Sequence, residues 1–374
     1  MHDTDPANLP SQAERLAGWM RLQQTAGVGP IAAAALIAQF STPHAIFSAG
    51  YALLLEHVAP AQARALCAPP PPAFQACLDA ALAWMARPGN HILTPDHPQY
   101  PALLRQIADP PVLLYAVGQP ELLSMPSVAI VGSRNATVQG VANAQAFGHA
   151  LSGAGFTVVS GLAMGIDAAA HEGGLRSAGA TVAVIGTGAD RIYPRGNAVL
   201  ARRIGQEGCI VSEYALGTPP VAANFPRRNR LISGLACAVL VVEAAEGSGS
   251  LITARVANEQ GRDVFAIPGS IHSPLSKGCH KLIKAGAKLV ESSADLLDEL
   301  HVSPLARLQL PLARAYDGAH LALLNALGQG PVGYDALATL TEADAGTLAT
   351  QLLALELAGH VERLPGGFFQ RVNR

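Results

Sequence analysis

The densest cluster of cations in the 374-residue sequence lies in residues 224–234, Asn-Phe-Pro-Arg-Arg-Asn-Arg-Leu-Ile-Ser-Gly. The proline of this segment suits the first turn of a helix, where its missing N–H is not needed. Arg227, Arg228 and Arg230 would then line the first turns. Arg227 and Arg230 are three positions apart and could share a face. A guanidinium presents a planar fork of donors to a phosphate, and Phe225 offers a surface on which a base can stack.

A second candidate anion site follows a short apolar run. Residues 128–131 are uncharged and apolar, as expected for a strand buried on both faces of a parallel sheet. The run ends in Gly132, Ser133 and Arg134, and a helical pattern begins near residue 137. A strand, a glycine turn and a helix together direct free N–H groups towards an anion. The alternative is a structural turn in which Arg134 pairs with a neighbouring carboxylate.

Between residues 128 and 290, apolar runs alternate with segments of helical period or length. This alternation predicts a doubly wound, mostly parallel sheet with helices on both faces. Ligands of such sheets bind outside the carboxyl ends of the strands. The predicted strands are residues 128–131, 157–159, 181–185, 210–211, 238–242, 264–267 and 288–290.

The residues that follow each predicted strand should therefore converge on one edge. Asp167 ends the segment after the second strand, and we expect it to be the N-cap of a helix that starts near Ala168. Glu213 and Glu243 end two further strands and could hold magnesium together, although pairing with the arginines of residues 227–230 is favoured. The other candidates at this edge are Gly161, Gly165, Arg195, Asn229, Ser248, Gly249, Ser250 and Lys277.

Several kinds of catalytic or cofactor site lack their sequence signatures. The P-loop pattern is absent, and Gly186-Thr-Gly188 has no third glycine at the spacing of a dinucleotide-binding turn. No HExxH motif, cysteine pair or histidine cluster indicates a metal. We therefore expect no catalytic residue, cofactor or metal. Arginines, bare amides and rings are the groups that hold single-stranded nucleic acid, whereas a crevice at a strand edge fits duplex DNA poorly.

Composition sets the wider limits. Half of the residues are hydrophobic, 14% are charged, and the formal net charge is −2. Nucleic-acid binding must therefore depend on a local patch rather than on the overall field. No signal peptide or membrane-length apolar run is present, so we expect a cytoplasmic protein without a membrane partner.

The two ends of the chain predict smaller helical domains. A Gly-Val-Gly-Pro turn at residues 27–30 lies between helical patterns and is similar to the hairpin of helix-hairpin-helix modules. Residues 69–72 are four prolines, which no helix can cross. Residues 317–374 predict three helices and a hairpin, as in a winged helix, but contain three arginines against six carboxylates. This acidity opposes a groove-reading role and favours protein contact or regulation. The predicted domains are residues 1–68, 69–300 with a core at 126–292, a linker at 301–316, and 317–374.

Seven motifs in order resemble the DNA-processing protein A family (DprA/Smf). The resemblance covers nearly the whole chain, and so many motifs in the right order make it highly specific. These motifs are Tyr100-Pro-Ala-Leu-Leu with Asp109-Pro-Pro-Val-Leu-Leu-Tyr115, Ala129-Ile-Val-Gly-Ser-Arg134, Ser160-Gly-Leu-Ala-Met-Gly-Ile-Asp167, Tyr193-Pro, Phe225-Pro-Arg-Arg-Asn-Arg-Leu-Ile-Ser-Gly234, Gly247-Ser-Gly-Ser-Leu-Ile-Thr-Ala254 and Pro268-Gly-Ser270.

The resemblance implies a SAM-like helical N-terminal domain, an extended Rossmann-like core and a C-terminal winged helix. It also implies a homodimer that binds single-stranded DNA and loads the RecA recombinase during natural transformation, protecting the incoming DNA. The implied DNA-contacting positions are Gly132, Ser133, Arg134, the run from Phe225 to Arg230, the run from Ser248 to Ser250, and Lys277. The alternative is a nucleotide-processing enzyme on a related core that uses Glu213 or Glu243.

Overall fold

The computed structural model describes residues 11–300, 323, 326–327, 332–341, 343–357, 361–364 and 367–371. The chain divides into two compact units, residues 1–303 and 304–374. The predicted linker lies outside the described residues, so its limits stay a prediction, as do the other domain boundaries. Across the described ranges, no helix is both long and apolar enough to cross a bilayer.

Six helices open the first unit. The predicted turn at residues 27–30 separates the first two, and Gly27 takes the φ of +77° that a glycine tolerates. The proline run lies between the fifth and sixth helices, as its chemistry requires. Trp19, Leu36 and Leu66 share one hydrophobic cluster with Tyr115 of the sheet, so the helices pack against the sheet. The six are α1 (Gln12–Gln24), α2 (Pro30–Phe40), α3 (Pro43–Ser48), α4 (Tyr51–Leu54), α5 (Pro60–Cys67) and α6 (Phe74–Met85).

A nine-stranded sheet forms the centre of the first unit, in the order β1-β2-β6-β5-β4-β3-β7-β8-β9. The strands from β3 to β9 are parallel, and β1 and β2 add an antiparallel edge. All seven predicted strands are present, whereas β1 and β2 were not among the predicted strands. The strands are β1 (Asn90–Leu93), β2 (Leu114–Gly118), β3 (Ser127–Val131), β4 (Thr157–Ser160), β5 (Thr181–Val184), β6 (Cys209–Ser212), β7 (Ala238–Val241), β8 (Asp263–Ala266) and β9 (Lys288–Leu289).

Helices cover both faces of this sheet, which confirms the doubly wound, Rossmann-like class. Val128 and Ile130 of β3 face one hydrophobic cluster, and Ala129 and Val131 face the other. This is why residues 128–131 of β3 are all apolar rather than alternating. The helices are α7 (Ala102–Arg105), α8 (Val138–Gly153), α9 (Ile166–Gly174), α10 (Ala198–Glu207), α11 (Asn224–Leu235), α12 (Gly249–Glu259), α13 (Lys277–Lys284) and α14 (Ser293–Glu299).

The strand order reverses between β3 and β7. The chain passes from β3 through β4 and β5 to β6 in one direction, then returns to place β7 on the other side of β3. The loops that follow β3 and β7 therefore diverge at the carboxyl edge. Such a switch point is where doubly wound sheets bind ligands.

The second unit is a winged helix with its own core. Two helices, α15 (Tyr334–Thr341) and α16 (Ala345–Leu357), precede the hairpin of β11 (Val361–Leu364) and β12 (Phe368–Arg371), and β10 (Val332–Gly333) pairs with β12. The predicted first helix, near residues 320–327, lies mostly outside the described residues. The core consists of Leu323, Leu327, Leu337, Leu348, Leu352, Leu355, Val361 and Phe369.

Candidate nucleic-acid interface

A cavity of about 500 Å³ opens at the switch point between β3 and β7. Its walls come from the loop after β3, the start of α11 and the loop that leads into α12. Nine of the fifteen predicted site residues line it: Gly132, Ser133, Arg134, Phe225, Arg228, Asn229, Ser248, Gly249 and Ser250. The structure thus brings together three segments that are distant in sequence.

Glycines shape the wall that carries Arg134. A Cβ atom at Gly132 would lie 2.6 Å from Cγ1 of Ile166, and Gly165, at a φ of +76°, lies directly against the carbonyls of Ser133 and Arg134. The amide of Ile166 donates to the carbonyl of Ser133 at 3.1 Å. Gly165 therefore contributes to the site through close packing. Arg134 itself is exposed, and no described carboxylate forms an ion pair with it.

The floor of the cavity holds a buried guanidinium. Arg228 is 4% exposed, and its Nη1 donates to the carbonyl of Val184 at 2.6 Å. A Cβ atom at Gly161 would lie 1.9 Å from this nitrogen, so only glycine leaves room for the side chain. Among the described residues, the Nε of Arg228 has no hydrogen-bond partner. Burial lowers the pKa of Arg228 to about 10, which leaves it charged at neutral pH.

Asp167 faces Arg228 but is not the N-cap that the sequence predicted. The helix begins two residues earlier than expected, at Ile166, because Gly165 with its positive φ is the N-cap. The carboxylate of Asp167 accepts from the amide of Ala163 at 3.3 Å. Burial raises the pKa of Asp167, and the charge of Arg228 opposes that rise. Asp167 therefore stabilises the loop before α9 and partly balances the charge of Arg228.

Arg230 is not available to a phosphate. Its Nη1 and Nη2 donate to the two carboxylate oxygens of Glu213 at 2.9 and 2.6 Å, and its Nε donates to Asp109 at 2.6 Å. The Arg230 side chain is 8% exposed, whereas Arg227 is exposed. The two arginines thus do not share a solvent face. Arg230 is therefore an internal ion-pair partner rather than a contact residue, because each of its three guanidinium nitrogens donates to a carboxylate.

Glu243 has a different partner from the one expected. Its carboxylate accepts from the amide of Thr137 at 3.0 Å and from the Thr137 hydroxyl at 2.5 Å. It lies against Gly140, in the first turn of α8. A carboxylate is stabilised at a helix N-terminus by free N–H groups and the helix dipole. The pairing prediction is therefore confirmed for Glu213 and wrong for Glu243.

The loop before α12 closes the third side of the cavity. Ser248 is the N-cap of α12, and its hydroxyl accepts from the amide of Ser250 at 3.3 Å. The Nδ2 of Asn229 donates to the carbonyl of Gly249 at 3.3 Å and ties this loop to α11. Thr253, which is buried, also lines the cavity and was missed. Its position, three residues after Ser250 on one helix face, is the signal that could have revealed it.

The remaining predicted cations lie outside the cavity wall. Arg195, Arg227 and Lys277 are exposed. Lys277 begins α13 two residues after Leu275, which lines the cavity. In the described part of the chain, no cluster of His, Cys, Asp and Glu has the arrangement to hold a metal ion.

Comparison with sequence families identifies the architecture. A sequence model described as DNA recombination-mediator protein A matches residues 91–301, which include every residue of the cavity. The chain belongs to this family. A second model, the DprA winged helix domain, matches residues 307–367.

Relatives of this family match over most of their length. Protein Smf of Escherichia coli is 41% identical over 299 residues, covering 78% of this chain and 80% of the relative. The X-ray structure of DNA processing protein A from Streptococcus pneumoniae is 38% identical with a TM-score of 0.61, covering 75% of this chain and 97% of that one. DNA processing protein A from Helicobacter pylori is 30% identical with a TM-score of 0.52, covering 57% and 95%. Its structure is described as showing a unique single-stranded DNA binding mode.

Proposed function

We propose that this protein is a non-enzymatic mediator of recombination that binds single-stranded DNA in the cavity between β3 and β7. The observation that carries the proposal is the exposed Arg134 beside a buried, charged Arg228, with Phe225 in the same wall. Cations for the backbone and a ring for a base are the elements of single-strand recognition. The related Helicobacter pylori structure, described by its single-stranded DNA binding mode, supports this assignment.

The size of the cavity favours an unpaired strand. A space of about 500 Å³ lies within the range of small-ligand pockets, so it suits one or two nucleotide units. Duplex DNA is stiff, with a persistence length of about 150 base pairs, so it cannot bend sharply enough to place one of its nucleotides in such a cavity. We therefore propose preference for single strands over duplexes of equal length.

The test is a titration of fluorescent single strands with matched arginine variants. Arg134→Ala removes an exposed cation at the cavity and should weaken binding by about 1–3 kcal/mol, the range for charge-assisted contacts. Arg176→Ala is the control, because Arg176 is also exposed but follows α9 at the opposite end from the cavity. Wild-type affinity in the Arg134→Ala variant, or equal affinity of the wild type for duplex, would contradict the proposal.

Two carboxylates that an enzymatic function would need have structural partners instead. Glu213 is held by Arg230, and Glu243 is held by Thr137 at the start of α8. A general base or metal ligand must be free to contact its substrate or ion. The nucleotide-processing alternative is therefore not supported by an observation at this site.

We further propose that the protein acts as a homodimer in the cytoplasm and loads RecA onto the bound strand during natural transformation. Support comes from membership of a family described as recombination mediators. The acidic segment 317–374 would contact a protein partner rather than DNA. Measuring RecA filament formation on single strands, with full-length protein and with residues 304–374 removed, tests loading and the role of this unit together.

A further inference from the structure

Exposed apolar side chains lie beside the cavity, next to the loop between β5 and α10. Tyr193 is 44% exposed and Met164 is 49% exposed. Met164 lies against Gly196, three residues along the loop from Tyr193. Apolar side chains grouped at the surface of a soluble unit indicate an interaction site. Arg191 and Arg195 are exposed on the same loop, and Arg227 is exposed two residues after Phe225.

The ring of Tyr193 continues the cavity wall outwards. Its centroid is 5.4 Å from that of Phe225, with 40° between the ring planes. Phe225 lines the cavity, so the pair runs from inside the site to the surface. A Cβ atom at Gly186 would lie 3.1 Å from Cδ1 of Phe225, so a glycine there lets the ring lie close to the backbone.

Hydrogen bonds fix the loop that carries Tyr193. The hydroxyl of Thr187 donates to the carbonyl of Arg191 at 3.0 Å, and Asn224 Nδ2 donates to the carbonyl of Gly186 at 3.1 Å. Beyond Tyr193, Asn197 Nδ2 donates to the carbonyls of Leu162 and Ala163 at 2.9 and 3.1 Å. Hydrogen bonds therefore fix both ends of the loop, so the exposed ring of Tyr193 is already in place before a ligand binds.

We propose that Tyr193 and Phe225 form a stacking platform for the base next to the nucleotide held in the cavity. This inference rests on the proposed function and deepens it, since it extends the site to a second unit of the strand. The occupant is an unpaired base of any type, because every base has a π-face. Arg191 and Arg195 lie on the same loop, where cations can accompany the phosphate of that unit.

The test compares ring variants on a thymine oligonucleotide and on thymidine 5′-monophosphate. Tyr193→Ala should weaken oligonucleotide binding roughly 5- to 150-fold, the effect of losing one stacked base. The same variant should bind the mononucleotide as the wild type does, because that ligand occupies only the cavity. Tyr193→Trp should retain affinity and Tyr193→Leu should lose it, since stacking needs a ring. Tyr51→Ala is the matched control, because Tyr51 is 39% exposed on α4.

Three outcomes would overturn the platform. One is wild-type oligonucleotide affinity in Tyr193→Ala while Arg134→Ala still loses affinity, which leaves the proposed function intact. Another is wild-type affinity in Tyr193→Leu, which would show apolar contact without stacking. The last is wild-type affinity in both Tyr193→Ala and Arg134→Ala, in which case the proposed function fails as well. With 2-aminopurine placed at each position in turn, the platform predicts quenching that Tyr193→Ala relieves at one position only.

Discussion

Three arginines within four positions of α11 have three different environments. Arg227 is exposed, Arg228 forms the cavity floor with its Nη1 on Val184, and Arg230 is enclosed by Glu213 and Asp109. A helix turns by about 100° per residue, so neighbouring side chains point towards solvent, cavity and sheet in turn. The segment from Arg227 to Arg230 therefore combines residues of the candidate site with one arginine of a structural ion pair. An effect of mutating one of its arginines cannot be transferred to the others.

The contrast between Arg230 and Arg227 gives the first prediction. Arg230→Ala leaves the buried Glu213 without a partner, so the free energy of unfolding should fall by about 3–5 kcal/mol. Arg227→Ala removes an exposed side chain and should change stability by no more than about 0.5 kcal/mol. Urea unfolding of both variants measures the difference. A fully stable Arg230→Ala variant that has lost single-strand affinity would instead make Arg230 a contact residue.

The contacts of Arg230 show which features of single residues could be predicted from the sequence and which could not. Sequence showed that its guanidinium and a strand-end carboxylate would converge, because both belong to one edge of the sheet. It did not show that Asp109, which precedes β2, is a second carboxylate partner of Arg230. Nor did it show that Arg228 would be 4% exposed, which depends on the space left by Gly161. Such facts arise from tertiary packing, which neither spacing nor periodicity encodes.

At the scale of elements, α9 holds the loop that packs against Arg134 and Arg228. His171 of α9 is fully buried, and its Nε2 accepts from the amide of Leu162 at 3.2 Å. Its Nδ1 is 2.7 Å from the hydroxyl oxygen of Thr181, whose proton goes to the carbonyl of Val158 at 2.6 Å. His171 is therefore neutral and donates from Nδ1. This imidazole links the loop after β4 to β5.

The second prediction concerns the pH dependence of this link. Burial, followed by the charge of Arg228, lowers the pKa of His171 to about 3. The same group titrates near 6.5 in the unfolded chain. Between these values the unfolded state binds a proton that the folded state does not, so the free energy of unfolding falls as pH falls below 6.5. The contribution of this residue has a slope of up to about 1.4 kcal/mol per pH unit.

Urea unfolding of the wild type and a His171→Gln variant at pH 7 and pH 5.5 isolates that contribution. The stability advantage of the wild type should shrink at the lower pH, since only its unfolded chain gains this proton. Nitrogen-15 NMR of the wild type provides a direct check, because the His171 ring should remain neutral at pH 5.5. A ring that titrates near pH 6.5 would show that the imidazole is not buried as described.

The strands were more predictable than the helix starts and the sheet edge. All seven strands from β3 to β9 were found. Five of them, β3 to β7, are buried along their whole length and so require apolar runs, whereas β8 and β9 are partly or fully exposed. The strand β1 was missed because it begins with Asn90 and His91, which lie at an edge and are half-buried. The start of α9 was missed because Gly165 caps it through backbone conformation, without a side-chain signal.

At the scale of the whole molecule, the net charge is slightly negative and does not attract a nucleic acid. The formal net charge is −2, and the predicted C-terminal domain, residues 317–374, has three arginines against six carboxylates. Four cations lie at or beside the cavity, namely Arg134, Arg228, Arg227 and Lys277, and Arg191 and Arg195 lie farther out on the Tyr193 loop. Each phosphate neutralised on a single strand contributes about −0.7 to the slope of log affinity against log salt.

The third prediction follows from that count. If the four cations at the cavity each neutralise one phosphate, the slope should be about −2.8, and contacts by Arg191 and Arg195 as well would bring it to about −4.2. Lys277→Ala should reduce its magnitude by about 0.7, whereas Lys284→Ala, at the other end of the same helix α13, should leave it unchanged. Titrations of a fluorescent single strand at several salt concentrations between about 50 and 200 mM measure each slope. An unchanged slope in Lys277→Ala would place the strand on the Tyr193 side of the cavity alone. A wild-type slope steeper than about −5 would require cations beyond this edge, and the arginines of residues 304–374 would then have to contribute.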